Sequence, residues 1–304
     1  SSGKLRRYFD IKNFSDPFRV IKGYGEALRL IRRYKPDVVF SKGGFVAVPV
    51  VLAARHYKIP TIIHESDMTP GLANKICIPS ASKVCCNFPE TLKYLPEDKA
   101  VLTGSPIRKE LLQGDRLSGL SYSHLSADKP VLLIIGGSLG SVTVNQAVRS
   151  ILPRLLAKYQ VIHICGKGNL DESLVGMKGY CQKEFLSEEM PDALAVADVV
   201  LSRAGSNTLS ELLALHKPML LVPYPLGASR GDQIENAKSY ARQGLARVLM
   251  QEDMTARTLT DALFKLLDER AELLAALEAY PVKDGTQAVL ELIEDARKAH
   301  SRSH

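Results

Sequence analysis

Residues 131–148 read VLLIIGGSLGSVTVNQAV, and this stretch decides the fold. A continuous apolar run at 131–135 leads into a glycine turn, and a pattern of helical period begins near Val142. A short buried strand, a tight turn and a helix form the first half of a βαβ unit, which builds a parallel sheet. The sequence therefore predicts an α/β domain around this stretch.

The same alternation extends to both sides of it. Short apolar runs predict strands at 37–40, 61–64, 83–86, 131–135, 161–165, 198–202, 219–222 and 246–250. Helical periodicity predicts helices at 21–34, 142–158, 207–215, 233–243 and 259–280. The polar segment 104–128 interrupts this rhythm. We therefore predict a first domain at 1–108, a linker at 109–128, a second domain at 129–280 and a C-terminal helix and tail at 281–304.

Composition excludes several classes of protein. Hydrophobic residues make up 45% of the 304 positions and charged residues 24%, which is ordinary for a folded globular chain. No apolar run approaches the ~18 residues that span a bilayer. The five cysteines form no CxxC pair, which indicates buried, reduced thiols in a cytoplasmic protein. The chain has no D-x-D motif and no His/Asp/Glu cluster at metal spacing, so we expect neither a metal nor a cofactor.

The net charge of +7 is concentrated near the N-terminus. Residues 1–34 contain nine Lys or Arg and three Asp or Glu, and five aromatic residues from Tyr8 to Tyr24 are interleaved with them. Basic and aromatic residues together indicate either an anionic membrane surface or nucleic acid. A solvated helix face that carries a few core aromatics is the alternative.

Two loops after predicted strands of the second domain have the chemistry of a nucleotide site. In GGSLGS at 136–141, Gly137 allows close backbone approach and Ser138 adds a hydroxyl at a helix start, which suits a phosphate. In SRAGSNTLSE at 202–211, Glu211 can accept both hydroxyls of a ribose. The alternatives are a plain tight turn for the first loop and a capping box from Thr208 to Glu211 for the second.

A third loop and the strand ends of the first domain add further candidates. Gln233 and Asn236 begin a predicted helix and suit sugar hydroxyls, although capping from Asp232 to Glu235 is the alternative. His64 and Glu65 follow a strand and are weak candidates for acid–base catalysis, whereas a lone histidine there is more often a structural hydrogen-bonding residue. Arg108, in GSPIR at 104–108, can meet a phosphate.

These motifs, in this order, resemble the MurG family of glycosyltransferases, and in particular its Gram-positive members. The resemblance covers about residues 1–295, and it rests on seven motifs: KPDVVF with GGF at 35–45, HESDMTPGLANK at 64–75, GSPIR at 104–108, GGSLG at 136–140, GKG at 166–168, RAGSNTLSE at 203–211 and GDQIENA at 231–237. It implies a GT-B fold, in which two Rossmann-like domains have a cleft between them. It also implies inverting transfer of GlcNAc from UDP-GlcNAc to the C4 hydroxyl of the MurNAc of lipid I, which forms lipid II for peptidoglycan.

The resemblance also implies residue roles and partners. Ser138 and Gly137 stand at the phosphate-binding serine loop, Glu211 at the ribose carboxylate, Gln233 at a donor-sugar contact and Arg108 near the diphosphate. The matching donor motifs also contain Arg203, Gly205, Ser206 and Asn236. UDP-GlcNAc and lipid I are the implied substrates, on the cytoplasmic face of the membrane. Other cell-wall synthesis proteins are a further expected class of partner, and nucleic acid is not.

The sequence departs from the family pattern in two ways. Asp67, a further candidate for substrate binding, stands where many members have Asn, and Phe45 stands where many have Tyr, so the individual roles of these two residues are left open. Family members begin with a strand and a GGTxGH loop whose histidine is the usual candidate base, and residues 1–35 contain no match to it. We therefore expect the first domain to be truncated and the chain to have little transferase activity. The alternatives are another GT-B enzyme, such as a glycolipid glycosyltransferase or a UDP-GlcNAc epimerase, and a UDP-sugar-binding chain that is inactive without that loop.

Overall fold

The computed structural model describes residues 16–137, 140–226, 231–281 and 285–302, of which 16–20 are described by backbone alone. The chain forms two compact units. Unit 1 comprises Ser1–Pro106 and Lys283–His304, and unit 2 comprises Ile107–Val282. The segment 109–128, predicted as a linker, contains a helix that belongs to unit 2, and the C-terminal helix belongs to unit 1.

Unit 1 is built on a four-stranded parallel sheet of order β1-β2-β3-β4. Its elements before the chain enters unit 2 are α1 (Asp16–Tyr34), β1 (Val39–Ser41), α2 (Ala47–His56), β2 (Thr61–Glu65), α3 (Leu72–Cys77), β3 (Lys83–Cys86) and β4 (Ala100–Leu102). Because consecutive side chains of a strand point to opposite faces, Ile63 packs with α2 and α3, whereas Ile62 packs with Val289 of the C-terminal helix. The sheet is therefore covered on both faces.

Unit 2 is built on a six-stranded parallel sheet of order β10-β9-β8-β5-β6-β7. Its elements are α4 (Arg116–Ser123), β5 (Val131–Ile135), α5 (Val142–Ser150), α6 (Leu152–Lys158), β6 (Gln160–Ile164), β7 (Tyr180–Lys183), α7 (Met190–Val196), β8 (Val199–Ser202), α8 (Ser206–Ala214), β9 (Met219–Leu221), α9 (Asp232–Arg242), β10 (Arg247–Val248), α10 (Ala256–Asp268) and α11 (Arg270–Ala279). The chain then returns to unit 1 as α12 (Gly285–Ser301). The prediction of two parallel α/β domains is confirmed.

Two predicted helices are each divided in the structure. The helix predicted at 142–158 breaks at Ile151, and α6 has a proline in its first turn. That residue, Pro153, has no N–H to donate to the carbonyl four residues earlier, so a continuous helix is disfavoured there. The helix predicted at 259–280 divides at Glu269 into α10 and α11. No helix in the described part of the chain is both long and apolar enough to cross a membrane.

Candidate functional site

The glycine loop after β5 is held by close backbone packing. Gly137 adopts a φ of 95°, which a residue with a side chain rarely adopts. A Cβ added to Gly136 would lie 2.7 Å from the backbone nitrogen of Ser141, so glycine is required there too. Ser141 caps α5, because its Oγ accepts a hydrogen bond from the N–H of Val144 at 3.3 Å. Ser138, the predicted phosphate contact, lies outside the described residues.

Arg203, directly after β8, connects this loop to its neighbours. The side chain is 4% exposed. Its Nη1 donates to the carbonyls of Val222 at 2.9 Å and Pro223 at 3.3 Å, and its Nη2 donates to Ser141 Oγ at 2.6 Å and Gln251 Oε1 at 2.7 Å. The guanidinium carbon lies 4.1 Å from the centre of a ring that covers it, that of Tyr224. Arg203 therefore joins the carboxyl ends of β5, β8 and β9.

Gln233 and Asn236 fix the turn that follows Arg203. Gln233 Oε1 accepts from the N–H of Ala204 at 3.2 Å and of Tyr224 at 3.3 Å, and the buried Asn236 donates to the carbonyl of Ala204 at 3.2 Å. Helix α9 begins at Asp232 with Gly231 as its N-cap and no side-chain cap, so the capping alternative for this loop is wrong. The two predicted sugar contacts thus lie together, and both amides already bind the protein backbone.

Glu211, in the second turn of α8, pairs with Arg108. The distance from Arg108 Nε to Glu211 Oε1 is 3.0 Å, and the side chains are 62% and 19% exposed. Helix α8 begins at Ser206 with Gly205 as its N-cap, so Thr208 lies inside the helix and the capping-box alternative for Glu211 is wrong. Two of the predicted nucleotide contacts therefore meet each other in this structure.

A buried polar network supports the adjacent strand β6, and the sequence analysis missed it. His163 is fully buried, with Nε2 2.9 Å from Asn145 Oδ1 and Nδ1 2.9 Å from the Tyr180 hydroxyl. The Asn145 amide donates to the carbonyl of Cys165 at 2.8 Å. Burial, with the nearby positive charge of Arg149, lowers the pKa of His163 to about 3, so the ring is neutral. This network fixes the loop after β6.

His64, at the carboxyl end of β2 in unit 1, has both ring nitrogens in contact with the protein. Nε2 lies 2.9 Å from the carbonyl of Gly104, and Nδ1 lies 3.2 Å from Lys42 Nζ and 3.3 Å from Ser66 Oγ. The ring is fully buried, and burial together with Lys42 lowers its pKa to about 4. Both nitrogens of this buried, neutral ring are therefore occupied. The ring holds Lys42 in position, and this geometry does not support His64 as the base.

Glu65 is likewise occupied by the protein. Its carboxylate accepts from the N–H of Asp67 at 3.0 Å, from the N–H of Gly71 at 3.1 Å and from the Asn74 amide at 2.7 Å. These bonds fold the segment after β2 around the carboxylate, which explains why a glutamate follows His64 in the HESD stretch. Asp67 contributes its backbone to this turn. Glu65 is thus placed as a structural anchor, which does not support it as the base either.

Lys42 is the residue of unit 1 that the sequence analysis overlooked. It stands in the quoted SKGGF stretch, and a lysine at a strand end beside glycines is a signal that was available. The partners that hold its ammonium group, His64 and Ser66, are more than twenty residues away in sequence. Among the described residues, no group of three or more His, Cys, Asp or Glu could hold a metal ion.

Comparison with known proteins identifies relatives over nearly the whole chain. Residues 131–289 match the glycosyltransferase family 28 C-terminal domain, and residues 1–86 match the family's N-terminal domain. A protein of Lachnospira eligens is 57% identical over 298 residues, covering 98% of this chain and 84% of the relative. A protein of Geobacillus kaustophilus is 53% identical over 298 residues, with the same coverage of both chains. Both are named UDP-N-acetylglucosamine–N-acetylmuramyl-(pentapeptide) pyrophosphoryl-undecaprenol N-acetylglucosamine transferase.

Solved structures agree with this likeness. The crystal structure of Acinetobacter baumannii MurG superposes with a TM-score of 0.73 at 30% identity, covering 92% of this chain and 79% of that one. The UDP-GlcNAc 2-epimerase of Neisseria meningitidis, bound to UDP-GlcNAc, superposes with a TM-score of 0.66 at 13% identity, covering 96% and 84%. The second likeness shows a shared fold alone.

Proposed function

The chain belongs to glycosyltransferase family 28, in its MurG branch, and on that premise we propose that it transfers GlcNAc from UDP-GlcNAc to the C4 hydroxyl of the MurNAc of lipid I. The products are lipid II and UDP. The observation that carries the proposal is the set of hydrogen bonds that Arg203 and Gln233 make at the carboxyl ends of β5, β8 and β9, in the same unit as the Arg108–Glu211 pair. Ligands of parallel α/β sheets bind at these strand ends.

Each part of the donor has a matching group in unit 2. The glycine loop with Gly137 and Ser138 takes the diphosphate at the start of α5. Glu211 accepts the ribose hydroxyls, and Arg108 is then released from the ion pair to bind a phosphate oxygen. Gln233 offers the sugar its amide N–H groups, because its carbonyl oxygen is occupied by the backbone.

The remaining candidates shape the pocket. Gly205 has open space beside it, with the Gln233 amide nitrogen 4.0 Å from where a Cβ would be. Asn236 holds the turn through its bond to Ala204, Ser206 begins α8 and accepts a bond from Ser210 Oγ through its carbonyl, and the backbone of Asp67 takes part in the turn after β2 in unit 1. We assign the catalytic base to neither His64 nor Glu65.

The test is nucleotide binding by calorimetry. Glu211→Ala should weaken UDP binding by about 1–3 kcal/mol, since it leaves the ribose hydroxyls of the bound nucleotide without their acceptor. The loss should be smaller for 2′,3′-dideoxyuridine diphosphate, which has no ribose diol to bind. Equal losses for both ligands would contradict the ribose role.

The reaction is tested by UDP release with UDP-GlcNAc and a short-chain lipid I analogue. Acceptor-dependent release that Glu211→Ala reduces would support the proposed reaction, and it would overturn the expectation of little activity that the sequence gives. Conversion of UDP-GlcNAc without any acceptor would instead support the epimerase alternative.

We further propose that unit 1 attaches peripherally to an anionic membrane on its cytoplasmic face. The charge of residues 1–34 supports this, although 1–15 lie outside the described residues. In α1, Ile21, Leu30 and Tyr34 are more than half exposed, next to exposed Arg32 and Arg33. Exposed apolar and basic side chains on one helix suit the interface of an anionic bilayer.

Vesicle co-sedimentation tests the attachment. Binding to vesicles that contain phosphatidylglycerol should fall as salt is raised, because each basic residue near the surface contributes about 1 kcal/mol that salt screens. Arg32→Glu with Arg33→Glu should reduce binding further than the control pair Arg257→Glu with Lys238→Glu in unit 2. Equal binding to neutral vesicles at high salt would contradict the electrostatic account.

A further inference from the structure

Among the described residues, the buried cation Arg203 contacts only neutral groups. Its hydrogen bonds go to two backbone carbonyls, a serine hydroxyl and a glutamine amide oxygen. Its Nε is buried and has no hydrogen-bond partner. Within the described residues no Asp or Glu forms an ion pair with it, and by sequence the other residues of unit 2 (138–139, 227–230 and 282) include no Asp or Glu.

A buried charge without a counter-charge is costly, and proteins normally pair it. Burial lowers the pKa of Arg203, but a guanidinium remains protonated in proteins. Hydrogen bonds to neutral oxygens occupy Nη1 and Nη2 without cancelling the charge, and Nε is left unpaired. Unit 2 therefore holds an uncompensated positive charge at the carboxyl ends of its central strands.

This charge lies next to the glycine loop. Ser141, which accepts from Arg203 Nη2, is the N-cap of α5, where the helix dipole adds further positive potential. A Cβ on Gly140 would collide with the carbonyl of Cys165, so glycine is required where the chain passes the end of β6 before α5. Two sources of positive potential thus meet at Ser141.

We propose that the diphosphate of the bound nucleotide is the missing counter-charge of Arg203, which makes Arg203 a positioning residue that acts through Ser141 at the N-terminus of α5. The proposal rests on the donor site assigned above. It predicts that Arg203 contributes to the binding of the phosphates and little to that of the uridine. A purely structural tether would affect both parts of the ligand alike.

Gln251→Glu gives the sharpest test, because it places a carboxylate of nearly the same shape where Gln251 Oε1 lies 2.7 Å from Arg203 Nη2. With this internal counter-charge the unliganded protein should melt at a higher temperature. The dissociation constant of UDP should rise about tenfold, while that of uridine should change less than about twofold. The wild type must first bind UDP, and failure there would contradict the proposed donor site rather than this inference.

Two variants of Arg203 complete the series. Arg203→Lys keeps the charge and should retain most of the preference for UDP over uridine. In Arg203→Gln, the ratio of the uridine to the UDP dissociation constant should fall about tenfold. Arg247→Gln removes a cation of unit 2 that is paired with Glu269 and Glu272, and it should leave the preference unchanged. Gln251→Glu without effect on UDP affinity, or UDP and uridine weakened by the same factor, would overturn the proposal.

Discussion

The carboxyl ends of β2 in unit 1 and β8 in unit 2 both bury ionisable side chains, but they balance them differently. At the end of β2, Glu65 accepts three N–H groups and His64 is neutral beside Lys42. At the end of β8, Arg203 is charged and has only neutral partners in the described chain. The first arrangement gives both Glu65 and the ring of His64 partners within the protein, and the second leaves a positive charge for a ligand.

The difference separates stability from binding. Removing a group that is satisfied internally strands its partners, so the cost appears in the free energy of unfolding. Removing a charge that a ligand balances changes chiefly the affinity for that ligand. We therefore expect substitutions at the end of β2 to destabilise unit 1, and charge substitutions in the donor site to weaken nucleotide binding.

Acidification should give the largest effect, and it should affect unit 2 more. The pKa of His64 is lowered to about 4 and that of His163 to about 3, while both titrate near 6.5 when unfolded. The stability that these neutral rings contribute is fully present above pH 6.5. It is lost as the pH falls from 6.5 to the lowered pKa of each ring, because protonation then favours the unfolded state, and each ring costs about 3 kcal/mol or more of unfolding free energy. Burial raises the pKa of Glu65, which has the opposite sign and partly offsets the loss in unit 1.

Urea unfolding at pH 7 and pH 4.5, with pulsed hydrogen exchange resolved by peptide, measures each unit separately. His163→Gln should flatten the pH dependence of unit 2, and His64→Gln that of unit 1. The exposed His56 is the control, since His56→Gln should leave the slope unchanged. If acidification lowered the unfolding free energy of unit 1 more than that of unit 2, the expected difference between the two units would be contradicted.

Glu65→Ala should give the next largest effect. It strands the N–H groups of Asp67 and Gly71 and the amide of Asn74, which together cost about 3 kcal/mol of unfolding free energy at neutral pH. Glu97→Ala removes an exposed carboxylate from the same unit and should change stability by less than about 0.5 kcal/mol. Urea unfolding distinguishes them, and equal stabilities would show that the turn after β2 does not depend on Glu65.

The sequence predicted the sheets better than the partners of the buried groups. Apolar runs located β2, β5 and β8 because buried parallel strands are continuously apolar. It missed β4 and β7, since Ala100–Leu102 has three residues and Tyr180–Lys183 contains polar residues. Strand ends located the polar loops, because catalytic and binding groups gather there.

The partners could not be predicted, because they come from distant parts of the chain. His64 meets Gly104 forty positions later, and Arg203 meets Ser141 sixty-two positions earlier. No local pattern reports such pairs. Whether Arg203 has an acidic neighbour depended on three loops that only the folded sheet brings together.

Arg108→Ala should have the smallest effect on stability and a clear effect on binding. Its ion pair with Glu211 is largely exposed on the arginine side, and such pairs contribute about 0.5 kcal/mol or less to folding. A phosphate contact of an arginine is stronger, so UDP affinity should fall about tenfold while the urea midpoint hardly moves. Lys238→Ala, which breaks the exposed pair with Glu235, should match it in stability and leave UDP affinity unchanged. If Arg108→Ala instead destabilised unit 2 and spared UDP binding, Arg108 would belong with Glu65 as an internally satisfied group, and the charge left for a ligand would be that of Arg203 alone.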